Sequence, residues 1–98
     1  MQVNTDIGAD GRGMFYYPAR DGRAAEMEVA VAGSTLTVYH TEVRKEFENQ
    51  GMAKGLLAQM VAYAREHSLK VNPLCPFVSA QFRRHPLEYA DLWKAATA

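Results

Sequence analysis

The segment from residue 52 to residue 64 constrains the fold most, because its apolar residues recur at helical spacing between two segments of β character. One buried stripe is formed by Met52, Ala53, Leu56, Leu57, Met60, Val61 and Ala64. The segments that flank this helix, ending near Val43 and beginning near Leu69, are apolar and partly β-branched. A helix between two strands is typical of a βαβ crossover, so we expect these strands to be parallel neighbours in one sheet.

The residues before this helix predict antiparallel strands. Residues 24–32 alternate between apolar and charged side chains, and Gly33-Ser34 separates them from the β-branched and aromatic residues 35–43. Two such runs around a short glycine turn predict an antiparallel hairpin. A further short strand is predicted at residues 14–17, closed by Pro18. Residues 1–13, with three glycines and little apolar content, are predicted as a flexible lead-in with room for a short edge strand around Val3.

After the crossover helix the sequence predicts a strand at residues 69–74, a second helix and a short tail. Pro76 stands where proline favours a helix start, so a helix is predicted from there to about Arg84. Residues 87–96 are predicted as a helical tail, with apolar contacts from Tyr89, Leu92 and Trp93. Residues 14–98 are therefore predicted as one domain of the α/β (α+β) class.

Composition narrows the class of protein. The chain has 98 residues, 48% of them hydrophobic, and its eleven basic residues balance eleven acidic ones. No net charge attracts nucleic acid or an anionic membrane, and no apolar run reaches the ~18 residues of a membrane span. The single cysteine, Cys75, excludes an internal disulfide framework and fits a reducing compartment. We therefore expect a cytoplasmic protein without a secretory signal.

A turn of small residues at the start of the crossover helix is the first candidate site. Gly51 and Ala53 let a ligand approach the backbone closely, and the helix start offers unpaired N–H groups and the positive end of the dipole. These properties suit a phosphate group. A turn of this kind also occurs for structural reasons alone, so its meaning depends on the rest of the chain.

Four stretches of the chain, taken in order and spacing, resemble those of a known family. They are His40-Thr41-Glu42-Val43, Gln50-Gly51-Met52-Ala53, Leu74-Cys75-Pro76-Phe77-Val78 and Arg84-His85-Pro86. Over about residues 14 to 92 the chain resembles the small single-domain branch of the GNAT superfamily of GCN-related N-acetyltransferases. The resemblance implies a trimmed GNAT fold, with antiparallel N-terminal strands leading into a βαβ unit whose parallel strands splay apart, and C-terminal helices.

The same resemblance implies that acetyl-coenzyme A (acetyl-CoA) is the co-substrate. It places the pyrophosphate loop on Glu48, Asn49, Gln50, Gly51, Met52, Ala53 and Lys54. Glu48 departs from the family pattern, which has a cation or an amide at that position, so we expect weaker binding of the coenzyme. By the same resemblance, the strand ending at Val43 hydrogen-bonds the pantetheine arm. Arg83 and Arg84 are candidate contacts to the phosphates of the coenzyme or, alternatively, a solvated face.

Acetyl transfer to an amine needs a positioned thioester, a donor that polarises its carbonyl group and a group that takes up the proton of the amine. The resemblance places Cys75 where the thioester arrives, as an acetyl acceptor or as the proton donor to the leaving thiolate. A buried cysteine with a purely structural role is the alternative. His40 and Glu42 share one face of their strand and are the candidate bases, directly or through water, or else solvated residues.

Two functions stay open at this point. The first is an N-acetyltransferase that acts on an amine of a small molecule or a protein. The second is a non-catalytic module that binds coenzyme A or acetyl-CoA as a sensor or partner subunit, which the carboxylate of Glu48 favours. Nucleic-acid binding ranks last, because only the Arg83-Arg84 pair favours it, and no metal is expected.

Overall fold

Alternation of apolar and polar side chains organises the N-terminal half of the chain into an antiparallel sheet. In the computed structural model, which describes residues 2–94, this half contains strands β1 (Asn4–Ile7), β2 (Arg12–Ala19), β3 (Gly22–Ala32) and β4 (Thr35–Val43). A short 3-10 turn (Lys45–Phe47), helix α1 (Met52–Glu66), strand β5 (Lys70–Pro73) and helix α2 (Pro76–Arg84) follow. The strands lie in the order β1-β2-β3-β4-β5, and only the β4–β5 pair is parallel.

This arrangement confirms the predicted hairpin, the parallel crossover and both helices. The sheet presents Phe15, Met27 and Val38 to the helices, and all three are fully buried. The helices complete the core with the side chains of Leu56, Met60, Val78 and Phe82, none of which is exposed to solvent. Because the apolar residues of both helices lie in this one cluster, the opposite face of the sheet carries no helix in the described part of the chain.

Helix α1 packs very closely on β2 at Gly55. A Cβ atom at this position would lie 1.8 Å from the hydroxyl oxygen of Tyr17, whose side chain is buried. The glycine, unfavourable inside a helix by about 1 kcal/mol relative to alanine, therefore has a packing reason. It lets the first turns of α1 lie directly against the aromatic ring.

Strands β4 and β5 diverge after a short paired segment. The parallel ladder joins Thr35 to Lys70 and ends where Val38 faces Pro73, whereas β4 continues to Val43. On its other side, β4 has a one-residue bulge, because Val38 faces Val29 and His40 faces Glu28, which leaves Tyr39 as the extra residue. Bulges increase local twist, so this one helps to open the gap between β4 and β5.

Two sequence predictions need correction. Residues 4–7 form a paired edge strand and β2 already begins at Arg12, so much of the predicted lead-in belongs to the sheet. The predicted helical tail is wrong for residues 87–94, which form turns and then extended chain. Backbone pairing along the edge of β5 explains this difference, because Val71 N donates to Leu92 O (2.7 Å) and Lys94 N donates to Val71 O (2.9 Å). The remainder of the predicted tail lies outside the described residues.

The predicted apolar contacts of this segment are confirmed. Tyr89 and Leu92 are buried, and Phe82 stacks on Tyr89 at a ring-centroid distance of 4.7 Å. Arg65 of α1 holds the segment through hydrogen bonds to both carboxylate oxygens of Asp91, at 3.0 and 3.2 Å. Within residues 2–94, neither helix has the length and hydropathy that crossing a membrane requires.

Candidate functional site

The turn that leads into α1 depends on two residues with left-handed backbone conformation. Asn49 has a φ of 65° and Gly51, the residue before the helix, has a φ of 79°. A Cβ atom on Gly51 would meet no heavy atom within 4 Å, so crowding does not require a glycine here. The left-handed backbone conformation does, because residues with a side chain rarely adopt it. The space directly above Gly51 is therefore open to a ligand.

The N-terminus of α1 has no side-chain cap. Its first helical hydrogen bond runs from Gly55 N to Gly51 O (3.0 Å), and among residues 2–94 no side chain accepts from the N–H groups that precede it. The N–H groups of Met52, Ala53 and Lys54 consequently have no partner within the helix. Together with the positive end of the helix dipole, they suit an anionic group such as a phosphate.

A groove of about 500 Å³ lies at this helix end. Three parts of the chain line it: the end of β4, the turn into α1 with the first residues of the helix, and the first turn of α2. The lining residues are Val43, Phe47, Glu48, Asn49, Gly51, Met52, Ala53, Lys54 and Phe77. Most of the residues predicted as a coenzyme loop therefore lie around one groove, whereas Gln50 is exposed outside it.

The sequence analysis did not identify the two aromatic walls of this groove. Phe47 is the only apolar residue in the charged segment 44–49, and Phe77 directly follows the proline that starts α2. Both positions were visible as isolated aromatic residues beside the candidate turn. Only the fold shows that α2 begins next to the end of β4.

Arg44, also missed by the sequence analysis, fixes the wall that contains Phe47. Its guanidinium donates to both carboxylate oxygens of Asp21 (2.8 and 3.2 Å) and to Glu46 (2.5 Å), and it lies 5.4 Å from the centre of the Phe47 ring. The hydrogen bond from Arg44 holds the pKa of the Asp21 carboxyl group below its usual range. This clamp ties the loop to the β2–β3 turn and so restricts the movement of the groove wall.

Cys75 lies in the gap between β4 and β5. Its backbone N–H donates to Val38 O (2.9 Å), directly after the last paired residues of the parallel ladder, and it immediately precedes α2. Its side chain is 2% exposed, and the thiol donates a hydrogen bond to the hydroxyl oxygen of Thr41 at 3.3 Å. The thiol therefore reaches β4 from the side that faces the helices.

His40 and Glu42 project from the other face of β4. Their side chains are 61% and 66% exposed, and His40 Nε2 lies 3.5 Å from Glu42 Oε2. Successive residues of a strand point to opposite faces, so Thr41, which contacts Cys75, points away from both of them. The structure thus brings His40 and Glu42 together and separates them from Cys75 by the thickness of the strand.

Arg83 and Arg84 lie in the last turn of α2 and are exposed. Neither lines the groove at Gly51. Phe77, the residue of α2 that does line it, is seven residues before Arg84, which corresponds to about 10 Å along a helix axis. A contact between these arginines and the phosphates of a coenzyme stays a prediction.

Comparison with known proteins decides the family. Residues 14–92 match the family model described as GCN5-related N-acetyl-transferase, which is most of the chain. The chain belongs to the GCN5-related N-acetyltransferase family. A search among curated proteins finds no match.

Solved structures agree with this family. The chain is similar to a GCN5-like proposed N-acetyltransferase from Staphylococcus aureus, with a TM-score of 0.70, 26% identity, and coverage of 98% of this chain and 92% of that chain. It is similar in fold to the ribosomal-protein-alanine N-acetyltransferase from Brucella melitensis biovar Abortus 2308, with a TM-score of 0.62, 18% identity, and coverage of 90% and 65%. The chain thus spans about two thirds of that longer protein.

A third structure of the same fold was solved with the coenzyme. The aminoglycoside N-acetyltransferase AAC(6')-Iy in complex with CoA has a TM-score of 0.54, 13% identity, and coverage of 92% of this chain and 73% of that chain. At this identity the likeness extends to the fold. This GCN5-related N-acetyltransferase therefore has the trimmed GNAT architecture that its sequence predicts.

Proposed function

We propose that this protein binds acetyl-CoA and transfers its acetyl group to an amine. The observation that carries the proposal is the uncapped N-terminus of α1, which opens into a groove bordered by the diverging end of β4. The unpaired N–H groups of Met52, Ala53 and Lys54 suit the pyrophosphate, and the open space above Gly51 admits it. The β5-facing edge of residues 39–43 would then hold the pantetheine arm, because β5 has ended.

The reaction requires two proton transfers. The amine nitrogen attacks the carbonyl carbon of the thioester, so that a C–N bond forms and the C–S bond breaks. The nitrogen loses a proton, and the departing thiolate of coenzyme A gains one. Groups on opposite faces of β4 suit these two tasks.

The position of Cys75 favours proton donation over acetyl acceptance. Its thiol donates to Thr41 and cannot use His40 or Glu42 directly as a base, because both project from the other face of β4. A nucleophilic cysteine needs such a base or another way to lower its pKa. As a protonated thiol that already donates a hydrogen bond, it can pass a proton to the departing thiolate of coenzyme A.

His40 and Glu42 are the candidates for deprotonation of the amine. They lie within reach of one another on the face of the sheet that carries no helix, where Glu42 can orient the imidazole ring. A solvent-exposed pair of this kind accepts the proton directly or through one water molecule. The acceptor would then approach from the face opposite to the core.

One observation favours a second function, coenzyme binding without turnover. Glu48 lines the groove, and a carboxylate beside a pyrophosphate weakens binding unless it turns to solvent. Glu48 is exposed and has no ion-pair partner among residues 2–94, so it is free to turn away. For this reason we place acetyl transfer first. The buried free thiol supports a reducing, cytoplasmic location for either function.

Titration of ¹⁵N-labelled protein with acetyl-CoA tests the proposal, and two glycine variants sharpen it. Gly51→Ala and Gly33→Ala both place a methyl group on a left-handed residue with no neighbour within 4 Å. Each should lose about 1–2 kcal/mol of stability. Only Gly51→Ala should weaken acetyl-CoA binding, by about tenfold or more, because its methyl group displaces a phosphate from N–H groups.

The amide signals of residues 50–54 should respond to acetyl-CoA in the wild type and in Gly33→Ala. A wild type whose amide signals stay unchanged at millimolar ligand would contradict both functions. Where binding is found, release of free coenzyme A thiol across a panel of amines separates an enzyme from a sensor. Absence of release with every amine would leave the binding module as the function.

A further inference from the structure

Thr41 lies on the core side of β4, in the part of the strand that β5 no longer covers. Its partner on β3 is Met27, which is fully buried, and residues directly opposite one another in a sheet project from the same face. The parallel ladder ends at Val38, three residues before Thr41. The side chain of Thr41 is partly exposed. Its hydroxyl group therefore lies where β4 and β5 have begun to separate.

The groove at the start of α1 continues toward Thr41. Val43, which lines the groove, is two residues after Thr41 on the same face of β4, a distance of about 7 Å along a strand. On the other side, Phe77 lines the groove and is two residues after Cys75. The pair of Thr41 and Cys75 is thus the next position inward from the groove. An extended ligand that enters from the groove would pass Val43 and then meet this pair.

The hydrogen bond within this pair leaves the hydroxyl proton of Thr41 available. The thiol of Cys75 donates to Thr41 Oγ1 at 3.3 Å. A hydroxyl group also has one proton of its own to donate, and among residues 2–94 the proton of Thr41 has no acceptor. Hydrogen bonds in a chain strengthen one another, so a hydroxyl group that accepts a proton becomes a better donor. The two side chains form a chain of two donors with Thr41 at its free end.

We propose that Thr41 gives its hydroxyl proton to the departing thiolate of coenzyme A and takes the thiol proton of Cys75 in return. This relay rests on the proposed acetyl transfer. When the C–S bond breaks, its electron pair stays on the sulfur of coenzyme A, and that sulfur binds the proton from Thr41. Both protons move together, so no alkoxide forms on Thr41. Cys75 then regains a proton from water, which has taken up the proton released by the amine.

Burial favours the relay over direct transfer from the thiol. The side chain of Cys75 is 2% exposed, and its proton is directed at Thr41. The side chain of Thr41 is partly exposed at the gap. A thiolate in the gap therefore meets the hydroxyl group first, whereas direct transfer would require the buried thiol to break its hydrogen bond and turn toward the gap.

Raman spectroscopy of the protein without any ligand tests the hydrogen bond. Cys75 is the only cysteine of the chain, so the S–H stretching band reports on it alone. Thr41→Val removes the hydroxyl group and keeps the branched shape, and the band should move to higher frequency. Thr41→Ser should keep the wild-type band, as should Thr37→Val, the same change on the opposite face of β4. An unchanged band in Thr41→Val would overturn the proposal.

Release of coenzyme A thiol from acetyl-CoA tests the relay in turnover. The acceptor is the amine of the panel that the wild type turns over fastest, and propylamine is the smallest member. Thr41→Val should lower kcat about a hundredfold with little change in the KM for acetyl-CoA, because only the transition state gains from the proton. Thr41→Ser should retain most of the activity, and Thr37→Val should equal the wild type.

A double variant distinguishes a relay from two independent contributions. A relay fails wherever it is broken, so Thr41→Val combined with Cys75→Ala should be no slower than the slower single variant. Losses that multiply in the double variant would refute the relay, as would a Thr41→Val protein with the kcat of the wild type. In both cases acetyl transfer itself would stand. A wild type that releases no thiol with any amine would instead refute the proposed function, and the relay with it.

Discussion

Replacement of Gly55 by alanine separates what helix propensity predicts from what packing requires. In an isolated helix the change should stabilise by about 1 kcal/mol. In this fold the new Cβ atom would lie 1.8 Å from the hydroxyl oxygen and 2.9 Å from the Cζ atom of Tyr17, whose side chain is only 8% exposed. Both distances are too short, so the ring or the helix must move.

The loss of stability expected for Gly55→Ala is the balance of two opposing contributions. Overpacking of a buried site costs about 1–3 kcal/mol, and the gain in helix propensity offsets about 1 kcal/mol of it. We therefore expect a net loss of up to about 2 kcal/mol for Gly55→Ala. Tyr17→Phe removes the atom that makes the 1.8 Å contact and leaves the one at 2.9 Å. In that background the loss should be about 1 kcal/mol smaller, a coupling typical of residues in direct contact.

Urea denaturation of the four proteins of this cycle, followed by circular dichroism, measures the coupling. A Gly55→Ala protein at least as stable as the wild type would refute the packing argument. So would an equal loss of stability in both backgrounds. Gly55→Ala also tests whether packing on Tyr17 positions the turn at Gly51, because Gly55 N donates to Gly51 O. If the helix is displaced, the amide signals of Met52 and Lys54 should shift.

Three further changes test individual groups. The hydrogen bond from Arg44 lowers the pKa of Asp21, so its stabilisation is present above the ordinary pKa of 3.8 and is lost as pH falls through the lowered value. Asp21→Asn should therefore be less stable than the wild type at neutral pH, and the difference in urea denaturation should shrink as the pH falls below 3.8. Glu48→Arg should tighten acetyl-CoA binding about three- to tenfold in calorimetry at low salt, and weaker binding would contradict the repulsion that we infer. Cys75→Ala should lower kcat with little change in the KM for acetyl-CoA. If mass spectrometry detects an acetylated Cys75 in the wild type, the residue accepts the acetyl group, and its proposed role as proton donor is wrong.

The elements that the sequence predicts well are those whose pattern is local. The stripe that begins at Met52 has the helical period throughout, and the hairpin combines alternation with a glycine turn, so neither depends on distant residues. The tail after Pro86 could not be predicted in this way. Its apolar residues have helical spacing, but pairing with Val71 at the free edge of β5 satisfies the backbone groups of Leu92 and Lys94 in an extended conformation. That alternative exists only once the sheet has formed.

In the candidate site, too, the sequence predicts the parts with a local pattern and misses those that depend on long-range contacts. The turn at Gly51 could be predicted, because the glycine and the following helix are adjacent in sequence. Phe77 and the Arg44–Asp21 clamp could not, because each joins elements that are more than twenty residues apart in the chain. Long-range neighbours of this kind follow from topology and carry no local pattern.

The bulge at Tyr39 decides which residues of β4 can take part in which half of the reaction. Strict alternation from Leu36 and Val38, both fully buried, would direct His40 toward the core and Thr41 to the face of the sheet that carries no helix. The extra residue reverses this order, so Thr41 meets the thiol of Cys75 and His40 reaches solvent. Bulges occur preferentially beside active sites because they redirect side chains in this manner. Under the proposed function, a single inserted residue thus assigns the proton donor for the thiolate to the core side of β4 and the base for the amine to the acceptor side.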